Sequence, residues 1–303
     1  MATDTAASAR ATGQRTRPDL CPGALRPWRA DDGLLVRLRV VGGRLPITTL
    51  SRLLEVSAKF GDGDVHLTAR ANVQVRGFRG DDGQLTPAAL AALESTGLLP
   101  SRTHELVRNI LVSPQTGLAG GRADLRPVAL SLDAALRADA LLGQLPGRFL
   151  FTLDDGRGDL LGRLTGIGRR GTDLGLVALD NEQVQLRVGD HWGEVVRLEE
   201  AALHVVGLAT AFLRARGAST EAPWHLRELP APLRTPVAPD SRLPEPAPAL
   251  VYGVVPGGTH EHIPDGVLTP ARARAVLRHA AGVPEVVVTP WHGILVPHAL
   301  EEM

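Results

Sequence analysis

Between Leu34 and Val40 apolar residues alternate with arginine (LLVRLRV), the period-two pattern of a strand that buries one face. Gly42 and Gly43 break the run, and from Pro46 to Phe60 the residues Ile47, Leu50, Leu53 and Leu54 fall three or four apart, which predicts a helix. After the turn residues GDGD (61–64) alternation resumes from Val65 to Val75, with Val65, Leu67, Val73 and Val75 on the strand period. The unit reads strand, helix, strand. Thr86 as a cap and Pro87 at the first turn then open a short helix that carries Leu90 and Leu93 and ends before Gly97.

This layout returns near the other end of the chain. Leu250 to Val255 is apolar, Pro256, Gly257 and Gly258 predict a turn, Thr269 to Ala281 has helical spacing, and Val286 to Val296 predicts a closing strand pair or one long strand. Laid over VHLTARANVQV (65–75), the stretch VVVTPWHGILV sets Thr68 opposite Thr289 and Arg70 opposite Trp291. Two copies of one module therefore flank the middle of the chain, and the second lacks the charges of the first. In between, Phe149–Leu153, Leu174–Leu179 and Val184–Val188 predict strands, and Arg197–Ala215 a helix. Proline is dense from Leu229 to Ala249, which favours an extended, semi-rigid connection. The expected organisation is a disordered tail over 1–19, a first module over 20–98, a middle domain over 99–228, a proline-rich linker over 229–248 and a second module over 249–303. Strand runs mixed with helices in this order give an α+β class.

With 303 residues, 44% of them hydrophobic, the chain can bury a sizeable core. Lysine plus arginine and aspartate plus glutamate each total 33, so no global field steers the molecule to nucleic acid or an anionic membrane, and any anion site is local. Aromatic residues make up only 3%, too few for base-stacking platforms. No apolar run reaches the roughly 20 residues of a membrane span, and the first 18 residues lack a secretory hydrophobic segment, so a cytoplasmic location is expected. Cys21 is the only cysteine, which excludes an internal disulfide, a CxxC zinc site and a four-thiolate cluster from this chain. The signatures GxGxxG, GxxxxGKS, GxSxG and HExxH are absent.

The arginines are the candidate chemistry. Arg37 and Arg39 share the polar face of their strand, and Arg70, Asn72, Gln74 and Arg76 share one face of LTARANVQVRG. If those strands are neighbours, the faces merge into one guanidinium surface, a planar, permanently charged match for carboxylates, sulfite or nitrite. Spacing alone favours the plainer reading of the same residues, the solvent face of a one-sided antiparallel sheet. Arg108 and Asn109 in VRNILVSP add a further guanidinium beside this group or form a turn before a strand. Arg148 precedes a strand that ends in Asp154, Asp155 and Asp159, read as a solvated glycine-rich turn in preference to a divalent-metal site. His260 and His262 around Glu261 make only a weak metal set.

On the pieces RLRVVGG (37–43), LTARANVQVRG (67–77), VRNILVSP (107–114) and LPGRFLFTLDDGRGD (145–159), the sequence resembles the nitrite and sulfite reductase family. CPGALRPW (21–28) and TPWHGILVP (289–297) resemble its precorrin-3B synthase branch. The resemblance covers about Cys21 to Pro297 and implies two ferredoxin-like half-domains flanking a mixed α/β core. It implies sirohaem or another tetrapyrrole as cofactor or substrate, and an oxidoreductase of nitrite or sulfite reduction or of cobalamin biosynthesis. By position, Arg37 and Arg108 match arginines that face the anion on sirohaem, and Arg148 matches the first of two active-site lysines. The second is Leu150 here, which argues against sulfite and nitrite reduction. Arg70, Asn72, Gln74 and Arg76 match a segment that binds tetrapyrrole carboxylates, with Arg39 and Asn109 beside it.

The family also carries a [4Fe-4S] cluster on paired cysteine motifs in a second core region, and this chain is expected to stop at Met303 before that region. The expectation is therefore an enzyme, or a non-catalytic tetrapyrrole-binding scaffold, or one half of a split enzyme. Its partners are a polyanionic tetrapyrrole, a cysteine-bearing chain and an electron donor, with no nucleic acid and no membrane.

Overall fold

The computed structural model describes residues 19–166, 171–219 and 221–299, and the tail expected over 1–19 lies outside them except for Asp19. From the N-terminal side come β1 (Trp28–Ala30), β2 (Gly33–Leu38), β3 (Arg44–Pro46) and α1 (Ile47–Phe60). There follow β4 (Val65–Leu67), β5 (Val73–Phe78), the small hairpin β6 (Gly80–Asp81) and β7 (Gln84–Leu85), and α2 (Pro87–Ser95). α1 buries Leu50 and Leu53 as its spacing predicts, with Ile47 and Leu54 half-buried beside them and Val56 buried in addition, and Thr86 Oγ1 caps α2 by accepting the Ala89 amide at 3.2 Å.

One strand expected from Val65 to Val75 is in fact two. β4 and β5 pair antiparallel around a tight turn, where Thr68 Oγ1 accepts the amides of Arg70 (3.4 Å) and Asn72 (3.1 Å) and Ala71 takes a positive φ of 55°. A short hydroxyl acceptor offers the backbone a turn in place of ladder bonds. Arg70 thus sits in a turn and does not share a strand face with Gln74 and Arg76.

The middle of the chain supplies β8 (Ile110–Val112), α3 (Arg126–Ala138), β9 (Phe151–Asp154), α4 (Leu161–Leu164), β10 (Leu174–Ala178), β11 (Gln183–Val188), β12 (His191–Arg197) and α5 (Ala201–Arg216). Its sheet runs β12-β11-β10-β9-β8, parallel across β8, β9 and β10 and antiparallel across β10, β11 and β12. α3 and α5 cover one face, with Phe149 set 5.1 Å from both Phe151 and Phe212 in the core.

The last segment holds β13 (Gly253–Val255), β14 (Gly258–His262), β15 (Val267–Leu268), α6 (Pro270–His279), β16 (Glu285–Thr289) and β17 (Gly293–Pro297). Its closing stretch is a strand pair. The hairpin turn repeats that of the first copy, His292 (φ 58°) standing where Ala71 stands.

The two outer sheets, β1-β2-β5-β4-β15 and β13-β14-β17-β16-β3, match strand for strand, and each borrows its last strand from the other segment. β15 pairs with β4 through Leu268 and Val65, and β3 pairs with β16 through Leu45 and Val286. Glycine is required where each chain crosses over: Gly43 (φ 73°) has no room for a Cβ against the Val288 carbonyl, and Gly266 (φ 70°) has none against the Leu67 carbonyl. One apolar cluster consequently joins Val36, Leu53 and Val73 to Leu268, Val276 and Ile294. The proline-rich stretch is extended and pinned to the middle sheet, with Val237 N donating to Trp192 O (2.9 Å) and Ala247 N to Gly158 O (3.0 Å). No helix among the described residues is long and apolar enough to cross a membrane.

Candidate functional site

β2 and β5 are direct neighbours, so Arg37 and Gln74 stand opposite each other in the ladder. Arg37 donates from Nε (3.0 Å) and Nη2 (2.6 Å) to Gln74 Oε1, which ties the guanidinium to the neighbouring strand. The Thr68 turn carries Arg70 to the same end of the sheet, where Nη1 donates to the Arg148 carbonyl at 3.0 Å. Arg148 itself lies over the Trp224 ring at 5.2 Å, a cation–π contact that fixes its plane, and its Nε is 3.4 Å from Asp19 Oδ1.

These three arginines and Arg227 wall a cavity of about 620 Å³, closed on its other sides by Trp28 and Leu35, by Leu20 to Pro22, and by Gly171 and His225. Four guanidinium groups from four separate segments therefore meet at one opening. Their charges are permanent at physiological pH, and the planar forks accept carboxylates in pairs of hydrogen bonds.

Behind this wall lies a buried polar seam. Asn72 Nδ2 donates to Asn109 Oδ1 (3.1 Å) and Asn72 Oδ1 accepts the Val40 amide (2.9 Å). Asn109 Nδ2 in turn donates to the carbonyls of Gly147 (2.9 Å) and Phe149 (3.2 Å). Asn72 and Asn109 are thus tie points between the first sheet and the Arg148 loop, not pocket walls.

Arg39 lies beyond the end of β2, buried beneath Cys21 and Pro22, and donates to the carbonyls of Arg37 (3.1 Å) and Leu106 (3.4 Å). Its Nη2 has no hydrogen-bond partner among the described residues. Burial, with Arg37 close by, pulls its pKa below the ordinary arginine range. Arg39 therefore does not share an open face with Arg37.

Two further arginines expected at the site are elsewhere. Arg76 pairs with Asp32 at 2.9 Å on the outer edge. Arg108 turns away from the pocket and donates from Nε to Asp133 Oδ1 at 2.5 Å, on the buried face of α3, where Arg137 holds the other oxygen at 3.0 Å. Leu150 is wholly buried in the apolar cluster. Of the nine residues singled out from the sequence, Arg37, Arg70 and Arg148 reach the cavity and Gln74 holds one of them.

The pocket also uses residues that sequence patterning passed over. His225 and Arg227 follow α5 in PWHLRELP, a stretch with no metal or catalytic spacing, and Trp224 is legible only as a lone tryptophan beside proline. His225 Nδ1 lies 3.0 and 3.1 Å from the two carboxylate oxygens of Asp173.

The acidic group Asp154, Asp155 and Asp159 is not a solvated turn. Asp154 and Asp155 are fully buried; Asp154 accepts the amides of Gly156, Gly158 and Leu160 at 2.9 to 3.0 Å, and Asp155 pairs with Arg157 at 2.7 Å. Asp159 accepts Ser113 Oγ at 2.6 Å, and burial, with Asp154 beside it, pushes its pKa up to about 7. His260, His262 and Glu261 diverge: His260 bonds Thr289 Oγ1, His262 stacks on Tyr252, and Glu261 meets His279.

Residues 28–93 match the model of the nitrite/sulfite reductase ferredoxin-like half domain. Over 144 residues the chain is 29% identical to a precorrin-3B synthase from Sinorhizobium sp, an alignment that covers 46% of this chain and 29% of the relative. The structure of the NirA protein of Mycobacterium tuberculosis superposes with a TM-score of 0.64 at 17% identity, covering 95% of this chain and 58% of that one. The chain thus spans under a third of the first relative and somewhat under two thirds of the second, and the second match carries the fold alone.

Proposed function

From the match of residues 28–93 to the nitrite/sulfite reductase ferredoxin-like half domain, we propose that the arginine-walled pocket binds the carboxylates of a polyanionic tetrapyrrole. The ligand is of precorrin or sirohaem type. The carrying observation is the convergence of Arg37, Arg70, Arg148 and Arg227 on one cavity of about 620 Å³, within the size range of small-molecule sites. The relative named precorrin-3B synthase favours a precorrin as ligand and an oxidoreductase of cobalamin biosynthesis as the setting. In this reading Arg70 and Arg148 grip carboxylates, while Arg37 is held in place by Gln74.

The residues present fit the carboxylate rim of sirohaem, which when bound supplies iron-centred redox chemistry. They do not fit a [4Fe-4S] cubane. Such a cluster is held by four cysteine thiolates, whereas Cys21 is this sequence's only cysteine and burial, with Asp19 beside it, raises its pKa and keeps it a thiol. That mismatch favours a second reading, in which the chain is a tetrapyrrole-binding scaffold or one part of a split enzyme whose cysteine-bearing partner holds the cluster and receives electrons from a donor.

Titration of the purified chain with uroporphyrin, an octacarboxylate probe, followed by fluorescence, tests the binding reading. Arg70→Ala and Arg148→Ala should each weaken binding by about ten- to a hundredfold, equivalent to the roughly 1.5–3 kcal/mol of a charged hydrogen bond. Absence of binding by the unmodified chain, or affinity unmoved by both substitutions, rejects it. Hydroxylated product from precorrin-3A in the presence of iron, sulfide, reductant and oxygen would separate the enzyme from the scaffold.

A further inference from the structure

Among the pocket's charged walls stands one imidazole. His225 lines the cavity. Its Nδ1 is engaged by Asp173, whose side chain is only 2% exposed and also accepts the amides of Leu150 (2.9 Å, Oδ2) and Leu226 (3.1 Å, Oδ1). A carboxylate so buried, with two backbone amides donating to it, is fixed in direction. Nδ1 therefore faces Asp173, the His225 side chain also accepts the Glu228 amide as the cap of the short turn that follows, and Nε2 lies on the far side of the ring.

We propose that His225, positioned by Asp173, is the proton-exchanging group of this pocket, so that binding of an anionic ligand is coupled to protonation at Nε2. The step balances without a further reactant: solvent or the ligand's own carboxylic acid gives H⁺ to Nε2, the lone pair of Nε2 forms the new N–H bond, and the resulting imidazolium is paired on one side with Asp173 and on the other with the ligand's oxygen. Ligand departure returns the proton.

The groups that face this imidazole come from every neighbouring element. Asp173, at the start of β10, and Glu228, whose Oε2 accepts the Trp224 and His225 amides at 2.8 and 3.3 Å, favour the charged ring. Arg227 on its own segment, Arg148 from the loop before β9, and Arg37 and Arg70 across the cavity oppose it. An incoming polyanion neutralises the second set and leaves the first, which makes the ligand itself the event that tips the ring to its protonated form.

This inference rests on the pocket being an anion site, and the experiment separates the two. Uroporphyrin affinity is measured from about pH 8 to about pH 6, where histidine titrates, for the unmodified chain and for His225→Gln. Affinity of the unmodified chain should rise as pH falls, by at most about tenfold per pH unit for one coupled proton, and the rise should vanish in His225→Gln. Equal pH dependence in both proteins overturns the proton coupling and leaves the binding reading standing. If uroporphyrin binds neither protein, the tetrapyrrole reading fails, and imidazole ¹⁵N spectra recorded with and without inorganic sulfate decide the rest. An Nδ1–H tautomer whose titration moves to higher pH with sulfate sustains the dyad; a ring of the other tautomer, or one indifferent to sulfate, removes it.

Discussion

Arg108 and Arg148 look alike in the sequence, each an arginine shortly before an apolar strand, yet one is buried against Asp133 and the other stacks on Trp224 at the pocket. What separates them is the partner each side chain finds across 25 or more residues of chain, information that no local spacing holds. The consequence is measurable. Arg108→Ala should lower stability by about 3 kcal/mol, because it strips one partner from a buried carboxylate, and should leave the pH dependence of uroporphyrin binding unchanged. Asp159 gives a pH-dependent counterpart. Its folded pKa of about 7 lies above the ordinary aspartate value. The native state therefore keeps a proton that the unfolded chain has lost between about pH 4 and pH 7, and stability falls as pH rises through that window. Asp159→Asn should be more stable than the unmodified chain at pH 8, by on the order of 2 kcal/mol, with the gap closing toward pH 4 in thermal melts. Of the site, Arg37, Arg70 and Arg148 were legible in the sequence, since charge placed at a strand or glycine turn stands out. His225 and Arg227 were not, because they sit in a loop whose composition says nothing of the cavity it faces.

Helices with a local start signal were legible: Thr86 with the following proline bounds α2, and the spacing from Thr269 marks α6, whereas α3, whose N-cap Leu125 makes no side-chain bond, passed unread. The Val65–Val75 stretch misled for an equally local reason. Its alternation continues through ARAN without a glycine or proline, so the turn is carried by a hydroxyl and by an alanine at positive φ. Thr68→Ala removes an acceptor of two amides and should cost about 1 kcal/mol. It should also loosen the placement of Arg70, so that uroporphyrin affinity drops in a variant that still gives a single cooperative melt. The Thr68→Ser variant, which keeps the hydroxyl, should recover both.

At the level of the whole molecule the repeat was visible in the sequence, but the exchange of β3 and β15 between the two sheets was not, because strands of two or three residues are too short to show a period. The exchange joins the first and last segments through one core. Cleavage within the exposed proline-rich stretch between residues 229 and 249 should therefore leave the two fragments eluting together on size exclusion under native conditions; fragments that separate without denaturant would show that the shared sheets contribute little. The same topology has a further meaning. Two equivalent modules that lend each other an edge strand have the form of a domain-swapped symmetric dimer written into one polypeptide. In such a tethered pair the halves are free to diverge. Where the first copy presents Arg70 at its turn, the second presents Trp291, and His260 there bonds inward to Thr289. One half thus keeps the charge that faces the cavity, and the other works as its ballast, holding the strand on which the first half's sheet depends.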